Sequence, residues 1–138
     1  MPCLFCEIAA RRIPAYVVYE DERCLAFLDI RPVAPGHTLL IPKTHIPSIE
    51  DLTPEESRVL FDALYKVLAP IKEAVGADAT TIGVNNGPGS GQEIPHVHVH
   101  ILPRHRGDHG GVIQHIGPGG KPPTKETADK IRAAIELA

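Results

Sequence analysis

Gln92-Glu93-Ile94-Pro95-His96-Val97-His98-Val99-His100-Ile101-Leu102 sets three histidines in alternation with β-branched apolar residues. A side-chain period of two is that of a strand, so His96, His98 and His100 share one face while Val97, Val99 and Ile101 turn the other toward a core. Successive same-face positions lie about 6.6–7 Å apart, close enough to converge on one ion or to carry separate tasks. Spacing alone therefore leaves open a metal triad, nucleophilic or acid–base chemistry, and a non-catalytic role. Upstream, Asn85-Asn86-Gly87-Pro88-Gly89-Ser90-Gly91 is a loop whose residues tolerate positive φ and can turn backbone N–H groups toward an anion. A titratable row beside such a loop describes a phosphate site.

Around this stretch the chain reads as one α+β domain. Tyr16–Glu20 and Cys24–Leu28 are β-rich runs joined by a polar Asp21-Glu22-Arg23 connection, and His37–Pro42 is an apolar run bounded by prolines. Thr53-Pro54-Glu55-Glu56 is a helix start, with Thr53 as N-cap, Pro54 at the first helical position and Glu56 placed for a capping box. The helix runs to about Val75 on a stripe of Leu60, Leu64, Val67, Leu68 and Ile71, with Pro70 able to kink its end and Gly76 as C-cap. Thr80–Val84 supplies a fourth strand and the histidine stretch the fifth, giving an antiparallel sheet. A short helix is expected over Phe5–Arg11, ended before Pro14. The domain is drawn at 1–105. Residues 106–138 form a Gly- and Pro-rich extension, with a helix from Thr124 whose stripe of Ile131, Ala134, Ile135 and Ala138 packs on the domain.

Composition limits the partners. The 138 residues, 43% of them hydrophobic, suffice for one core. Fourteen Lys and Arg against seventeen Asp and Glu give a net charge of -3, with no basic excess for long nucleic acids. No apolar run reaches the roughly 18 residues of a membrane span, and the first residues lack signal-peptide character, so a cytoplasmic protein is expected. Three cysteines make no disulfide scaffold; Cys3-x-x-Cys6 suggests redox or metal chemistry, and Cys24 beside Leu25-Ala26-Phe27 a buried hydrophobe.

Taken in order, Cys3-x-x-Cys6, Ala26-Phe27-Leu28-Asp29-Ile30, Pro35-Gly36-His37, Ile41-Pro42-Lys43-x-His45 and His96-Val97-His98-Val99-His100 resemble the histidine-triad family of nucleotide hydrolases and transferases, over roughly residues 3 to 104. The resemblance implies that His98 is a nucleophile transiently nucleotidylated at the α-phosphorus, its other ring nitrogen bonded to a carbonyl near His96. His37 and His100 are then the supporting histidines, and backbone N–H groups of Gly91 to Ile94 with the Gln92 amide steady the phosphoryl oxygens. Asp29 takes the ribose hydroxyls, where the alternative is a turn-capping aspartate. Phe5, Phe27 and Ile30 form a purine slot, Asn85 serves the phosphate loop, and Arg104 either adds charge near the site or is a solvated surface residue.

Cys3, Cys6, His45 and His96 make a tetrahedral donor set, which the same resemblance implies is a structural zinc site; no organic cofactor is expected. A homodimer follows from the family in the same way. The implied activity is cleavage of nucleoside 5′-phosphoramidates or related phosphoanhydrides to a purine nucleoside monophosphate. The alternatives are a dinucleoside polyphosphate hydrolase, a zinc-stabilised nucleotide-binding scaffold, or a catalytic zinc held by the triad. Glu93 departs from the phosphoramidase pattern, which commonly has a serine or threonine after Gly-Gln. It is expected to turn away and pair with Arg104 or Lys43, the other possibility being a protonated acid serving the leaving group.

Overall fold

The computed structural model describes residues 2–137; Ala138, the end of the expected C-terminal stripe, lies outside them. The described residues form a five-stranded antiparallel sheet and three α-helices in the order α1 (Leu4–Ala9), β1 (Val17–Glu20), β2 (Cys24–Leu28), β3 (Thr38–Pro42), α2 (Pro54–Ala74), β4 (Ala79–Gly83), β5 (Val99–Arg104) and α3 (Lys125–Leu137). The spatial order is β1-β2-β3-β5-β4, so β5 is inserted between β3 and β4. Leu39 lies opposite His100 on one side of β5, and Gly83 opposite His100 on the other. The histidine strand is therefore held from both flanks.

The period-two alternation divides the sheet as expected. Val97, Val99 and Ile101 join Cys24, Ala26, Leu40 and the α2 residues Leu60, Ala63 and Val67 in one core. Burying each such aliphatic side chain is worth about 1.5–3 kcal/mol. Cys24 belongs to this core, and burial lifts its thiol to about 11, out of reach of ionisation near neutrality. On the opposite face α1 covers only part of the sheet, through Phe5 and Ile8 on Leu25, Phe27, Leu39 and Ile41. The uncovered remainder is the floor of the site.

Helix α2 starts as its sequence dictates: Thr53 Oγ1 accepts from the Glu56 N–H at 3.1 Å, with Pro54 next. The reciprocal capping-box bond is missing, since Glu56 Oε2 is buried without a hydrogen-bond partner among the described residues. The C-cap is Val75 rather than Gly76. Gly76, at φ 65°, is the next residue; its N–H reaches Glu73 O at 3.1 Å and that of Ala77 reaches Lys72 O at 2.9 Å. This is a Schellman ending, whose left-handed residue favours glycine.

Three boundaries differ from expectation. Helix α1 stops at Ala9, short of Arg11, because Arg11 adopts φ 63° and leaves the helical region. The β5 ladder begins at Val99 rather than His96. The pairing with β3 ends at Leu40, and beyond it the Val97 N–H bonds to Ile46 O at 2.7 Å, drawing the chain away from that strand. The expected C-terminal helix forms, but α3 buries none of its described residues, and Ile131 and Ile135 stay exposed, so no docking occurs within one chain. Two large apolar residues on that stripe offer little to offset ordering of the tail.

Candidate active site and metal cluster

His98 occupies the junction where the extended chain enters β5. It is 7% exposed, and its Nδ1 donates to the His96 carbonyl at 2.8 Å. That acceptor assigns the proton to Nδ1 and leaves Nε2 with a free lone pair. The Phe5 ring stands edge-on to His98, with centroids 4.9 Å apart, and the His100 ring centroid lies 5.1 Å away. An imidazole oriented by its Nδ1, with the other nitrogen unoccupied, has the form of a nucleophile.

The supporting histidines form a relay whose direction is set by the backbone. The Val33 N–H donates to His37 Nδ1 at 3.2 Å, so the ring proton of neutral His37 resides on Nε2. His37 Nε2 then donates to His100 Nδ1 at 2.9 Å, leaving His100 Nε2 as the N–H available to a ligand. Burial depresses the pKa of both rings. For His100 the charges of His98 and His37 add to it, against an opposing pull from Asp29, and bring it to about 4. His100 is therefore a neutral donor at pH 7. Asp29, His37 and His100 offer ligand atoms within 4.8 Å of one another. The relay argues against a metal there, because His37 Nε2 carries a proton as long as Nδ1 receives one from Val33.

Asp29 is both a turn residue and a cavity residue. Its Oδ1 accepts from the Arg31 N–H at 2.8 Å, and its Oδ2 lies 3.6 Å from His37 Nε2. The cavity beside it has a volume of about 540 Å³. Its lining combines the apolar Phe5, Phe27, Leu39 and Ile30 with Asn85, Gly91, Glu93, His98 and His100. Ile30 is 83% exposed, an apolar residue left in solvent beside the opening.

Two expectations about the loop need correction. Gln92 does not present its amide to the cavity: Oε1 accepts from the Gly87 N–H at 2.8 Å, while Nε2 donates to Pro47 O at 2.8 Å and Ile94 O at 2.9 Å. Both donors and the acceptor are used, so Gln92 braces the loop and is a positioning residue. Glu93 is exposed but pairs with neither proposed cation. Lys43 is bound to Glu20 at 2.7 Å, and Arg104 forms a fork on Asp108 at 2.8 and 2.9 Å. Arg104 also reaches Gly111 O and Thr81 Oγ1, and so pins the tail to the sheet rather than charging the site. Residues that sequence reasoning passed over are Val33, whose backbone N–H orients the relay, and Asn86. Asn86 accepts from the Ile49 N–H at 2.9 Å and donates to Glu50 at 2.6 Å. The Asn-Asn-Gly run is a signal for Asn86; an unexceptional valine offers none.

The second constellation assembles as expected. Cys3 Sγ and Cys6 Sγ lie 3.4 and 3.6 Å from His96 Nδ1, and Cys6 Sγ lies 3.4 Å from His45 Nδ1. With Zn–S of about 2.3 Å and Zn–N of about 2.0–2.1 Å, a tetrahedral angle places sulfur and nitrogen about 3.6 Å apart. The observed spacing fits that edge. His96 is fully buried, and its Nε2 donates to Pro42 O at 2.7 Å, which leaves Nδ1 as the ligand atom. Burial and the neighbouring Cys3 raise the Cys6 pKa, so a dication would supply what ionises the pair. Because the His96 carbonyl also holds His98, this cluster and the candidate nucleophile share one residue.

Comparison with known proteins agrees with this geometry. The HIT domain model matches residues 10–107. The protein hit of Bacillus subtilis is 44% identical over 112 residues, 80% of this chain and 77% of that one. Adenylylsulfatase HINT3 of Arabidopsis thaliana is 39% identical over 77% of this chain and 54% of its own length. The asymmetrical bis(5′-nucleosyl)-tetraphosphatase of Schizosaccharomyces pombe is 41% identical over 70% and 53%. The chain thus spans about half the length of the latter two. Among solved structures, a HIT family member from Bacillus subtilis superposes with TM-score 0.84 at 38% identity, covering 99% of this chain and 96% of that one. A zinc-bound histidine triad protein from Mycobacterium smegmatis gives 0.74 at 35%, covering 99% and 95%. No described helix is long and apolar enough to cross a membrane.

Proposed function

Because this chain belongs to the HIT domain family, we propose that it is a nucleotide hydrolase that cleaves nucleoside 5′-phosphoramidates or related phosphoanhydrides at the α-phosphorus through a nucleotidyl-His98 intermediate. The observation that carries the reading is the His98 Nδ1–H bond to the His96 carbonyl, which leaves Nε2 free in the cavity that also contains Asp29. Support comes from relatives named as an adenylylsulfatase and a bis(5′-nucleosyl)-tetraphosphatase, both hydrolases of nucleotide derivatives.

In this mechanism a purine stacks on the apolar lining of Phe5, Phe27 and Ile30, the ribose hydroxyls meet Asp29 Oδ2, and the phosphate meets the His100 Nε2–H and the N–H groups of Glu93 and Ile94, since those of Gly91 and Gln92, expected to share this task, are already bonded to Pro88 O at 3.0 Å and Gly87 O at 3.4 Å. Asn85 lines the same cavity, and in this reading it serves the phosphate. His98 Nε2 attacks phosphorus, the bond to the leaving group breaks, and a leaving amine departs at the open mouth, where it takes up a proton. The imidazole becomes cationic in the adduct, and its Nδ1–H bond to the His96 carbonyl strengthens accordingly. Water then attacks the phosphorus, loses a proton, and returns His98 neutral with release of the nucleoside monophosphate. The fixed donors contribute because they are oriented before charge redistributes.

Zinc on Cys3, Cys6, His45 and His96 has a structural role here, tying the N-terminus to the His96 backbone. The catalytic domain is taken as 1–105 with 106–138 as an extension, the protein acts in the cytoplasm, and the assembly is a homodimer. Incubation with adenosine 5′-phosphoramidate tests the activity: release of AMP is expected. Tight AMP binding with no turnover of any phosphoramidate or phosphoanhydride would instead favour a nucleotide-binding scaffold.

A further inference from the structure

We propose that Glu93 makes this site selective for leaving groups that carry positive charge, and that the physiological substrate class is a nucleoside phosphoramidate of a cationic amine. The inference rests on the hydrolase reading above and adds the chemistry of the group that departs.

Glu93 lines the same cavity as His98 and His100. Its neighbours hold it there on a fixed frame: the Gln92 side-chain amide donates to the carbonyl of Ile94 at 2.9 Å and to that of Pro47 at 2.8 Å. The Glu93 carboxylate itself makes no hydrogen bond or ion pair with the described residues, whereas the cations that sequence reasoning offers it are committed to Glu20 and Asp108. Asp29 also lines the cavity, but its Oδ1 is occupied by the Arg31 N–H. Of the described Lys and Arg residues, Arg31 alone lines the cavity, so two carboxylates face one guanidinium there. The phosphate is served by the neutral His100 N–H and by backbone N–H groups, which need no counter-charge from Glu93.

An unpaired, exposed carboxylate lining the cavity of the candidate nucleophile acts on whatever is attached to phosphorus there. It attracts an ammonium on the leaving group and repels a carboxylate, sulfate or polyphosphate. Two unit charges 4 Å apart in water interact by about 1 kcal/mol, about fivefold, and the effect weakens with distance and salt. Reversing the sign of the leaving-group charge at that distance therefore changes kcat/KM by about 25-fold at low ionic strength.

The test uses adenosine 5′-phosphoramidates of aminopropyl, butyl and carboxyethyl amines, with kcat/KM measured in the wild type, Glu93→Gln and Glu93→Lys. The intrinsic reactivity of the three amines is common to all proteins, so only the change in their ratios is read. The cationic-to-anionic ratio should fall by up to about 25-fold in Glu93→Gln, invert relative to that variant in Glu93→Lys, and shrink in the wild type as salt is raised. Glu22→Gln, an exposed carboxylate in the β1–β2 connection, should leave the wild-type ratio in place. Equal ratios in wild type and Glu93→Gln would overturn the inference and leave the hydrolase reading standing. An equal loss on all three substrates in Glu93→Gln, with one limb of the pH–rate profile gone, would overturn it in favour of proton transfer. No turnover of any member by the wild type would remove the phosphoramidase reading and this inference with it.

Discussion

Removing His37 should act on catalysis only through His100, and the relay fixes both the size and the form of that effect. His37 Nε2 donates to His100 Nδ1 at 2.9 Å, and His37 Nδ1 receives the Val33 N–H at 3.2 Å. In His37→Ala the His100 ring loses the partner that directs its own proton to Nε2, so a phosphate donor is lost or randomised. Loss of one oriented donor of this kind costs about 2.7–4 kcal/mol, or about 10²–10³ in kcat. His37 is 4% exposed, so an unpaired nitrogen left on His100 costs about 1–3 kcal/mol of stability, which an ordinary domain tolerates. The assay is steady-state hydrolysis of adenosine 5′-phosphoramidate by His37→Ala, His100→Ala and the double variant. If His37 works through His100, the double variant is no slower than His100→Ala alone. Losses that multiply, giving about 10⁴–10⁶ on the same scale, would show two independent contacts and refute the relay.

The zinc set predicts that His96→Ala lowers both metal content and melting temperature, since ligand binding energy is part of folding energy; unchanged zinc stoichiometry in that variant would contradict the assignment. Cobalt substitution should give a thiolate charge-transfer band that Cys6→Ser weakens. Asp29→Ala should raise KM for ribonucleotides by an amount equivalent to about 1.5–3 kcal/mol and much less for 2′-deoxy substrates, because the carboxylate has a partner only when the hydroxyls are present. Acid should destabilise the fold through His37 and His100, whose folded pKa values lie below the ordinary one. The unfolded chain binds protons that the folded chain refuses, so stability falls as pH drops from about 6.5 toward 4 and is restored above that window. Urea midpoints at pH 7 and 5 should differ less in the His37→Ala, His100→Ala double variant than in the wild type.

The parts legible in the sequence are those governed by local rules. Alternation at Val97, Val99 and Ile101 assigned the two faces because a pleat has a fixed period, and Thr53-Pro54 located the start of α2 because an N-cap side chain bonds within one turn. The Cys-x-x-Cys pair and two histidines announced a donor set through ligand chemistry, although only the fold brings Cys3 within 3.4 Å of His96. What the sequence withheld depends on competition between distant groups. The β5 ladder starts late because Ile46 takes the Val97 N–H. Gln92 turns from the cavity because Pro47, Gly87 and Ile94 satisfy its amide. Arg104 is absent from the site because Asp108, four residues on, captures its guanidinium. Glu93 pairs with neither Lys43 nor Arg104 because Glu20 and Asp108 already hold them. None of these outcomes is encoded by residue type alone.

The covalent step at His98 is open to direct observation. Protein mixed with adenosine 5′-phosphoramidate and quenched rapidly in base, in which a phosphorus–imidazole bond survives, should yield on peptide mass spectrometry an adenylylated peptide with the modification on His98. The adduct should form at a rate no slower than turnover and be absent from His98→Ala, which should still bind AMP. Turnover with no adduct, an adduct on another residue, or a His98→Ala protein as active as the wild type would contradict the account.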